Sequence, residues 1–401
     1  MAKLLRCCPV GELPKLRYRF ARQAETLGKS VYDHAPGAIM LSAGSAYPMS
    51  LPDVSHEAAE AARHKEETMH YGPLMGLDDL RDYIAAYVTE DGVTCSRENI
   101  LATNGAKHAT ELALRVFTEA GDRIIVSAPT YMTTLQTFRN YGLNLLGVPQ
   151  DGEGLDADQL ETRLRTLRDN GEPLPKLLFD ISEFHNPTGI TMSLERRKRL
   201  IELALEYEFV IVKDDPYRRL RFEGGSVLPI KSLDAEGIVM VVGTVSKILS
   251  PGLRVGWAIA APEIVKRMAL QKSDGGSSPF NQRIVASLMR SNKMGLHIAE
   301  VSQHMKAHRD AIIDALATAL PGATVRKPEG GYLLWLELPE GMSGDALAAR
   351  SIAHGVEVSL GRVYFPTAAA ENYLRLAYIF VGPDTIRDGI RRLGIAYKEL
   401  L

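Results

Sequence analysis

A single lysine, Lys247, stands among small hydroxyl residues in the stretch 244–257, which reads Thr-Val-Ser-Lys-Ile-Leu-Ser-Pro-Gly-Leu-Arg-Val-Gly-Trp. Arg254 follows beyond a turn that Pro251 and Gly252 indicate. A lysine amine forms an imine with an aldehyde, while hydroxyls and a guanidinium group bind a phosphate. The segment therefore predicts a site for a cofactor that carries both groups, such as pyridoxal phosphate. A solvated surface lysine is the alternative, since short motifs are weak by themselves.

Two carboxylates and a tyrosine, in Asp214-Asp215-Pro216-Tyr217, directly follow an apolar run at 209–213. The run predicts a strand, and the ligands of open α/β sheets bind beyond the carboxyl ends of the strands. Asp214 in that place can keep a pyridinium nitrogen protonated, which makes the ring an electron sink. The Tyr217 hydroxyl can hydrogen-bond the phenolic oxygen of the same ring. An ordinary Asp-Pro turn is the alternative interpretation.

Two further turns contain residues suited to a flat, phosphorylated cofactor. Asn104-Gly105-Ala106-Lys107-His108 separates a predicted strand from a predicted helix, and the unsatisfied N–H groups of a helix N-terminus bind phosphate. Tyr131 follows the apolar run at 123–127, where an aromatic ring can stack on the cofactor. Each signal is weak alone, because Asn-Gly turns and core tyrosines are common.

Two polar side chains are candidates for contacts with the cofactor ring and the substrate. The Asn186 amide, in the turn His185–Gly189, can donate to a phenolic oxygen, although Asn-Pro and Thr-Gly are also plain turn sequences. Arg375 lies in the apolar run Leu374-Arg375-Leu376 and must find an anion there. A substrate carboxylate matches the two parallel donors of a guanidinium group. A structural salt bridge is the alternative.

The composition of the chain is that of a globular protein and limits its partners. Of 401 residues, 45% are hydrophobic and 24% are charged, with a formal net charge of −2. The lack of a basic stripe argues against nucleic acid, and no apolar run reaches the ~18 residues that span a bilayer. Cys7, Cys8 and Cys95 are too few for a disulfide framework or a zinc site, so we predict no metal. The first ten residues lack a sustained apolar region, which favours a cytoplasmic location.

Short runs rich in Val, Ile and Leu alternate with helical patterns from about residue 53, which predicts a parallel sheet with helices on both faces. The predicted strands are 98–103, 123–127, 176–181, 209–213 and 238–242. The predicted helices are 16–27, 54–66, 77–90, 107–119, 157–169 and 193–207.

The regular alternation of strand and helix patterns ends with a mostly helical stretch at 262–316. A strand at 373–378 and a final helix at 383–399 belong to a smaller α+β region. We predict an N-terminal arm with part of the small domain at 1–50, a large cofactor-binding domain at 51–290 and a small C-terminal domain at 291–401.

In their order and spacing these motifs resemble those of the class I/II aminotransferases of pyridoxal-phosphate fold type I. The chain is similar in particular to the branch that contains 2-aminoadipate and kynurenine aminotransferases, over residues 35–395. The matching motifs stand at 71–76, 103–105, 129–131, 186–189, 214–217, 244–257, 330–332 and 374–376. The resemblance implies an α/β fold, with a large α/β/α domain around a mostly parallel seven-stranded sheet and a smaller α+β domain.

The resemblance also implies a role for each matched residue. Lys247 forms the imine with pyridoxal 5'-phosphate and later moves the substrate's α-proton, Asp214 pairs with the pyridine nitrogen, and Arg375 holds the α-carboxylate. Tyr217 and Asn186 bind the ring oxygen. The remaining implied contacts are Tyr131 stacked on the ring, Gly105, Ala106, Thr244, Ser246 and Arg254 around the phosphate, and Tyr71 at the cofactor of a neighbouring subunit in a homodimer.

Two positions depart from the family pattern. Glu183-Phe184-His185 precedes Asn186 where Tyr-Gln or Phe-Gln is usual, and Ala106-Lys107-His108 replaces the commoner Ser-Gln-Gln. Ala106 lacks a hydroxyl for the phosphate, and Lys107 either compensates electrostatically or faces solvent. We interpret His108 and His185 as packed or hydrogen-bonded bystanders.

The predicted reaction is transfer of an amino group between an L-amino acid and a 2-oxo acid. A lyase, cyclase or oxidative deaminase or decarboxylase of specialised metabolism is the alternative, because the same cofactor supports all of these reactions. An effector-sensing domain of a transcription regulator is disfavoured, since the ~40 residues before the likeness are too few and not basic enough for a DNA-binding domain. The candidates for the substrate pocket are Arg17, Arg19, Tyr32, Gly44, Tyr47, Asn186 and Tyr332.

Overall fold

Fourteen strands and twelve α-helices are present in the computed structural model, which describes residues 34–46, 48–367 and 371–401. The strands are β1 (Ile39–Met40), β2 (Ile100–Thr103), β3 (Arg123–Ala128), β4 (Asn144–Asp151), β5 (Gly154–Leu155), β6 (Leu177–Asp180), β7 (Val210–Asp215), β8 (Val239–Thr244), β9 (Gly256–Ile259), β10 (Thr324–Val325), β11 (Leu333–Glu337), β12 (Val356–Glu357), β13 (Ser359–Leu360) and β14 (Tyr373–Ala377). The helices are α1 (Ser55–Arg63), α2 (Lys65–Thr68), α3 (Asp78–Thr89), α4 (Ala106–Phe117), α5 (Met132–Asn140), α6 (Ala157–Asp169), α7 (Leu194–Glu206), α8 (Pro262–Leu270), α9 (Pro279–Arg290), α10 (Lys293–Ala319), α11 (Gly344–Ala353) and α12 (Pro383–Lys398).

The largest sheet has eight strands in the order β2-β9-β8-β7-β6-β3-β4-β5. Its centre, from β8 to β4, is parallel, whereas β9 runs antiparallel to both of its neighbours. These strands are continuous apolar runs because both faces of the sheet are covered, and all six residues of β8 are buried. The predicted mostly parallel sheet is confirmed. The sheet has one strand more than the predicted seven, and this additional strand is the two-residue β5, which pairs antiparallel with β4.

The parallel strands bring the predicted site residues to one edge of this sheet. The strands β3, β6, β7 and β8 all end at that edge, and β2 ends there too because it is antiparallel to β9. The loops that follow them therefore meet where ligands of open α/β sheets bind. Tyr131, Asn186, Asp214 and Lys247 stand at or just after these strand ends.

A second sheet of four strands has the order β10-β11-β14-β13 and is antiparallel. Arg375 lies on its strand β14, opposite Trp335 of β11. The short β1 pairs with β12, so residues near the start of the described chain contact the C-terminal region. Ala35–Leu401 form one unit, and the domain boundaries near residues 50 and 290 stay a prediction. The helix predicted at 16–27 lies outside the described residues.

The helix α5 and the strands β4 and β9 are among the elements that were not predicted from the sequence. The strand β4 contains Gly147 and Pro149, which are rare in strand interiors, and β9 lies inside the glycine- and arginine-containing motif. The mostly helical stretch predicted at 262–316 is confirmed, and it consists of the three helices α8, α9 and α10. Gly275 and Gly276, both with positive φ, separate the first two of these helices, and proline occupies the first position of α8 and α9. None of the helices in the described part of the chain combines the length and apolar character needed to cross a bilayer.

Candidate active site

Lys247 lies in the loop that follows β8 and points its amine at a backbone carbonyl. Its Nζ donates a hydrogen bond of 2.8 Å to the carbonyl oxygen of Gly44. Burial lowers the pKa of Lys247 to about 8, with further lowering by the charges of Arg375 and Arg254 and an opposing effect of Asp214. A much larger fraction of this amine is therefore neutral near physiological pH than of an ordinary lysine, and the neutral amine is the nucleophile and the base.

Asp214 is a buried carboxylate that lacks a partner for one oxygen. Its side chain stands on β7 and the residue is 9% exposed, and its Oδ1 has no hydrogen-bond partner among the described residues. Burial, together with the negative charge of Asp215, raises the pKa of Asp214 to about 7. A buried polar atom is costly without a donor. A protonated pyridine nitrogen would supply that donor and favour the ionised carboxylate, so Asp214 fits the expected cofactor.

Two tyrosines and Asn186 line the same space. The Asn186 side chain lies beside the buried Tyr217 hydroxyl, and its own Oδ1 is buried without a hydrogen-bond partner among the described residues. The Tyr332 ring meets the Tyr217 ring edge-on at 5.3 Å between centroids, and its hydroxyl donates 3.2 Å to the Gly44 carbonyl. Burial raises the pKa of Tyr217 above its usual value, so its hydroxyl stays a donor at neutral pH.

The expected phosphate site lies between the start of α4 and the turn after β8. Gly105, with a φ of 98°, is the N-cap residue directly before α4, and Nη2 of Arg254 donates 2.6 Å to the Asn104 carbonyl. Gly256 of β9 pairs with Thr103 on one side and with Thr244 on the other, which places the two turns next to each other. Free N–H groups at a helix N-terminus next to a guanidinium group form an anion site.

The hydroxyls and side chains around this turn differ in their exposure. The hydroxyl of Thr244 donates 2.9 Å to that of Ser246, and both residues are buried. Ala106 is the first residue of α4 and is half-buried, whereas Lys107 is exposed. The solvent-facing alternative for Lys107 therefore fits its position better than a phosphate contact. His108 accepts a hydrogen bond of 3.2 Å from the Asn104 N–H, so this side chain braces the turn.

Replacement of Gly105 by alanine is expected to weaken binding of pyridoxal phosphate about tenfold. A residue with a Cβ is strained at a φ of 98° and a ψ of 167° by about 1–3 kcal/mol, and the Cβ would lie 3.2 Å from Nη2 of Arg254. Relief of this crowding moves the turn away from the guanidinium group. Titration of the apoprotein with the cofactor, followed by absorbance, measures the affinity.

Gly121→Ala is the matched control for this substitution. Gly121 has a φ of 99°, and a Cβ there would have nothing within 4 Å. The control therefore also puts a Cβ at a positive φ but lacks the crowding, and it should lose stability while keeping its affinity for the cofactor. Equal losses of affinity in the two variants would contradict the assignment of Gly105 to the phosphate site.

Arg375 is a buried cation with a free donor. The residue is 5% exposed, its Nη2 donates to the Ser42 carbonyl, and its guanidinium carbon lies 5.5 Å from the centre of the Tyr364 ring. The ion pairs among the described residues do not include Arg375, and its Nε has no hydrogen-bond partner among them. A Cβ on Gly44 would lie 3.1 Å from its Nη1. A buried guanidinium group in this state calls for an anionic ligand.

The remaining predicted residues are placed as follows. Tyr131 is partly buried and packs against the main core at the start of α5. Tyr71 is 89% exposed on the loop before α3. His185 is buried and its Nδ1 lies 3.1 Å from the Thr188 hydroxyl, and burial lowers its pKa to about 3, so the ring is neutral. Arg17, Arg19, Tyr32 and Tyr47 lie outside the described residues.

Two features of the site were missed from the sequence. The carbonyl of Gly44, which accepts from Lys247, carries no side-chain signature. Behind the site, Glu183 forms buried ion pairs with Lys213, Arg197 and Arg218. The signal for Lys213 was available, because it is a charge within an apolar strand, the same pattern that singled out Arg375.

Comparisons of the sequence place the chain among aminotransferases. Residues 37–393 match the family described as aminotransferase class I and II. The chain is 36% identical to the aromatic-amino-acid aminotransferase 1 of Thermococcus litoralis, over 90% of this chain and 88% of that protein. It is 35% identical to the 2-aminoadipate transaminase of Thermus thermophilus, over 91% of each. It is also 32% identical to an uncharacterised HTH-type transcriptional regulator of Bacillus subtilis, over 90% of this chain and 74% of that protein.

Solved structures agree with this placement. The α-aminoadipate aminotransferase of Thermus thermophilus, complexed with N-(5'-phosphopyridoxyl)-L-leucine, has a TM-score of 0.86 and 32% identity, and the match covers 95% of this chain and 97% of that one. The predicted fold type is thereby confirmed, and the two aminotransferase relatives are matched along about nine-tenths of their length. The chain belongs to the class I and II aminotransferase family.

Proposed function

We propose that this aminotransferase binds pyridoxal 5'-phosphate covalently through Lys247 and moves an amino group between an L-amino acid and a 2-oxo acid. The observation that carries the proposal is the convergence of three groups. The Asp214 carboxylate and the Arg375 guanidinium group are close enough to the Lys247 amine to shift its pKa, and Asp214 Oδ1 and Arg375 Nε have no hydrogen-bond partner among the described residues. When bound, the cofactor supplies an electron sink for the substrate carbon that loses its proton.

Each of these residues has a defined task in the transfer. Arg375 binds the substrate α-carboxylate and so orients the Cα–H bond. Lys247 would hold the cofactor covalently, and its neutral amine would act as the general base that takes the substrate's Cα proton and later returns it. Asp214 holds a proton on the ring nitrogen, and Tyr217 with Asn186 donates to the ring oxygen.

The comparisons support the aminotransferase interpretation over the two alternatives, a lyase-type enzyme and an effector-sensing domain of a regulator. The relatives named as aminotransferases are matched along about nine-tenths of their length, whereas the regulator is matched along 74% of its own. The relative solved with a phosphopyridoxyl amino acid shares the fold over 95% of this chain. A shared fold and family favour the same cofactor and the same reaction type here.

We also propose a homodimer, in which Tyr71 reaches the cofactor site of the partner subunit. Tyr71 is a large side chain at 89% exposure, so its ring is free to contact a partner subunit. Its loop lies against the strand that leads to the phosphate turn, since a Cβ on Gly76 would lie 2.3 Å from the Cβ of Ala102. Light scattering of the purified protein measures the assembly. The cytoplasmic location stays a prediction from the sequence.

The reaction is tested with the purified protein and a panel of amino acids, with and without 2-oxo acids. Mass spectrometry with 15N-labelled amino acids follows the amino group. We expect the label in a new amino acid only when an oxo acid is present. Release of pyruvate, ammonia or a sulfur fragment without any acceptor would establish the lyase alternative instead.

The rate at which Lys247 captures pyridoxal phosphate should rise with pH and level off above a midpoint near 8. Only the neutral amine attacks the aldehyde, and burial with the Arg375 charge lowers the pKa of Lys247 to about 8. Loss of a nearby cation in Arg375→Met should move the midpoint up, whereas loss of the opposing anion in Asp214→Asn should move it down. Stopped-flow absorbance of the apoprotein measures the rate.

A short lysine peptide is the control, since its amine titrates near pH ~10.4. A protein midpoint equal to that of the peptide, or shifts of the same sign in both variants, would contradict the proposed surroundings of Lys247.

A further inference from the structure

Glu183 is a buried carboxylate held by three cations. It is 2% exposed and stands three positions before Asn186. Its Oε1 accepts 2.7 Å from Nη1 of Arg197 and 2.9 Å from Nη1 of Arg218, and its Oε2 lies 2.6 Å from Nζ of Lys213. Burial opposes its ionisation, yet the three cations bring the pKa of Glu183 below its usual value, so the carboxylate is charged at neutral pH.

The cations flank the residues proposed to hold the cofactor ring. Lys213 directly precedes Asp214 on β7, and Arg218 directly follows Tyr217. Glu183 itself lies in the loop that follows β6, and the same loop contains Asn186. One carboxylate therefore joins the Asn186 turn to both ends of the segment that carries Asp214 and Tyr217.

The cluster is built on the face of β7 that points away from the ring. Side chains alternate along a strand, so Lys213 and Asp215 share one face while Asp214 points to the other. In agreement, Nζ of Lys213 lies 2.8 Å from Oδ2 of Asp215. Glu183 thus acts through the backbone on the side chains that would hold the cofactor, and it does not compete with the cofactor for them.

Arg197 anchors the cluster to the scaffold. It is fully buried on α7 and also donates 3.1 Å to the Met192 carbonyl and 2.7 Å to the Leu228 carbonyl. Buried charge-assisted hydrogen bonds of this kind restrict the movement of the segments they join. A site needs such rigid support to keep several side chains at fixed distances from one another.

We propose that Glu183 is a positioning residue that fixes Asn186 relative to Asp214 and Tyr217, so that the three groups bind the cofactor ring as one unit. The inference rests on the proposed function of this site. It also explains the departure at Glu183-Phe184-His185, because the carboxylate there is the partner of the lysine within β7.

The test compares Glu183→Gln with Glu57→Gln in the holoenzyme. Glu57 is also 2% exposed, and its Oε1 lies 2.6 Å from Nζ of Lys293 on α10, outside the proposed site. Three readouts are taken for each: kcat/KM, the dissociation constant of pyridoxal phosphate, and the induced circular dichroism per bound cofactor. The dichroism reports how the ring is held and does not follow from stability alone.

We expect Glu183→Gln to lower kcat/KM about 10²-fold, the size of effect that a small misplacement produces, and at least to halve the induced dichroism. Glu57→Gln should change neither. Wild-type values of the dichroism and kcat/KM in Glu183→Gln, or equal losses in both variants, would overturn the inference. Failure of the wild-type protein to bind the cofactor would instead refute the proposed function.

A second variant covers the case in which Glu183→Gln does not fold. Glu183→Gln combined with Lys213→Met removes the carboxylate together with the cation that it pairs with on β7. We expect this protein to fold with a reduced induced dichroism, because no carboxylate then links the loop of Asn186 to the segment that carries Asp214 and Tyr217. A folded double variant with wild-type dichroism would overturn the inference.

Discussion

Replacement of Lys247 by alanine is expected to abolish amino transfer, with a loss in kcat/KM of about 10⁴-fold or more. Alanine removes both the covalent attachment of pyridoxal phosphate and the base that takes the substrate proton. The lysine next to Asp214, Lys213, does not replace it, since its amine is held on the far face of β7 by Glu183 and Asp215. The 15N exchange assay measures the loss, and absorbance measures cofactor binding.

Lys247→Arg is the informative control for this variant. Arginine keeps a positive charge at the site and cannot form the covalent bond, so it should be as inactive as alanine. The phosphate contacts are intact in both variants, so each should still bind the cofactor non-covalently. Activity of either variant within a factor of about ten of the wild type would contradict the role of Lys247 as base and attachment point.

Asp214→Asn is expected to lower kcat about 10²- to 10³-fold, the size of loss seen when one preorganised electrostatic partner is removed. The amide has the shape of the carboxylate but lacks the charge that keeps the ring nitrogen protonated. Lys247 is unchanged, so covalent capture of the cofactor should persist. The loss should therefore fall mainly on the proton-transfer step, which a primary isotope effect with α-deuterated substrate detects.

Asp234→Asn controls for the loss of any buried carboxylate. The Asp234 side chain is 1% exposed, pairs with Lys231 at 2.8 Å and lies near the start of β8, the opposite end of the sheet from Asp214. It should lower stability and leave kcat unchanged. An Asp214→Asn variant with normal kcat and no increase in the isotope effect would show that the carboxylate does not act on the ring.

The central sheet could be predicted because its strands are buried on both faces. Runs such as the one in β8 are almost entirely apolar, and this pattern can be recognised without knowing which strands lie next to it. The strand β4 was not predicted, since Gly147 and Pro149 mask it, and the break between α8 and α9 depends on two glycines with positive φ. Local backbone conformation of this kind is decided by packing, which a single sequence does not display.

The site was predictable where side-chain chemistry conflicts with its surroundings. Arg375 within an apolar strand and Asp214 at a strand end are such cases, and both are buried with an unpartnered polar atom among the described residues. The contact between Lys247 and the Gly44 carbonyl spans 203 positions and involves a backbone atom, so no motif announces it. Glu183 was noticed only as a departure, because its cations stand 14, 30 and 35 positions away.

Borohydride reduction of the protein incubated with pyridoxal phosphate tests the account most directly. Reduction fixes any bond between the aldehyde and an amine, and peptide mass spectrometry then identifies the modified side chain. We expect a single stoichiometric phosphopyridoxyl group on Lys247, and none in Lys247→Arg. A colourless protein that takes up no cofactor, or an adduct located on another lysine, would contradict the account.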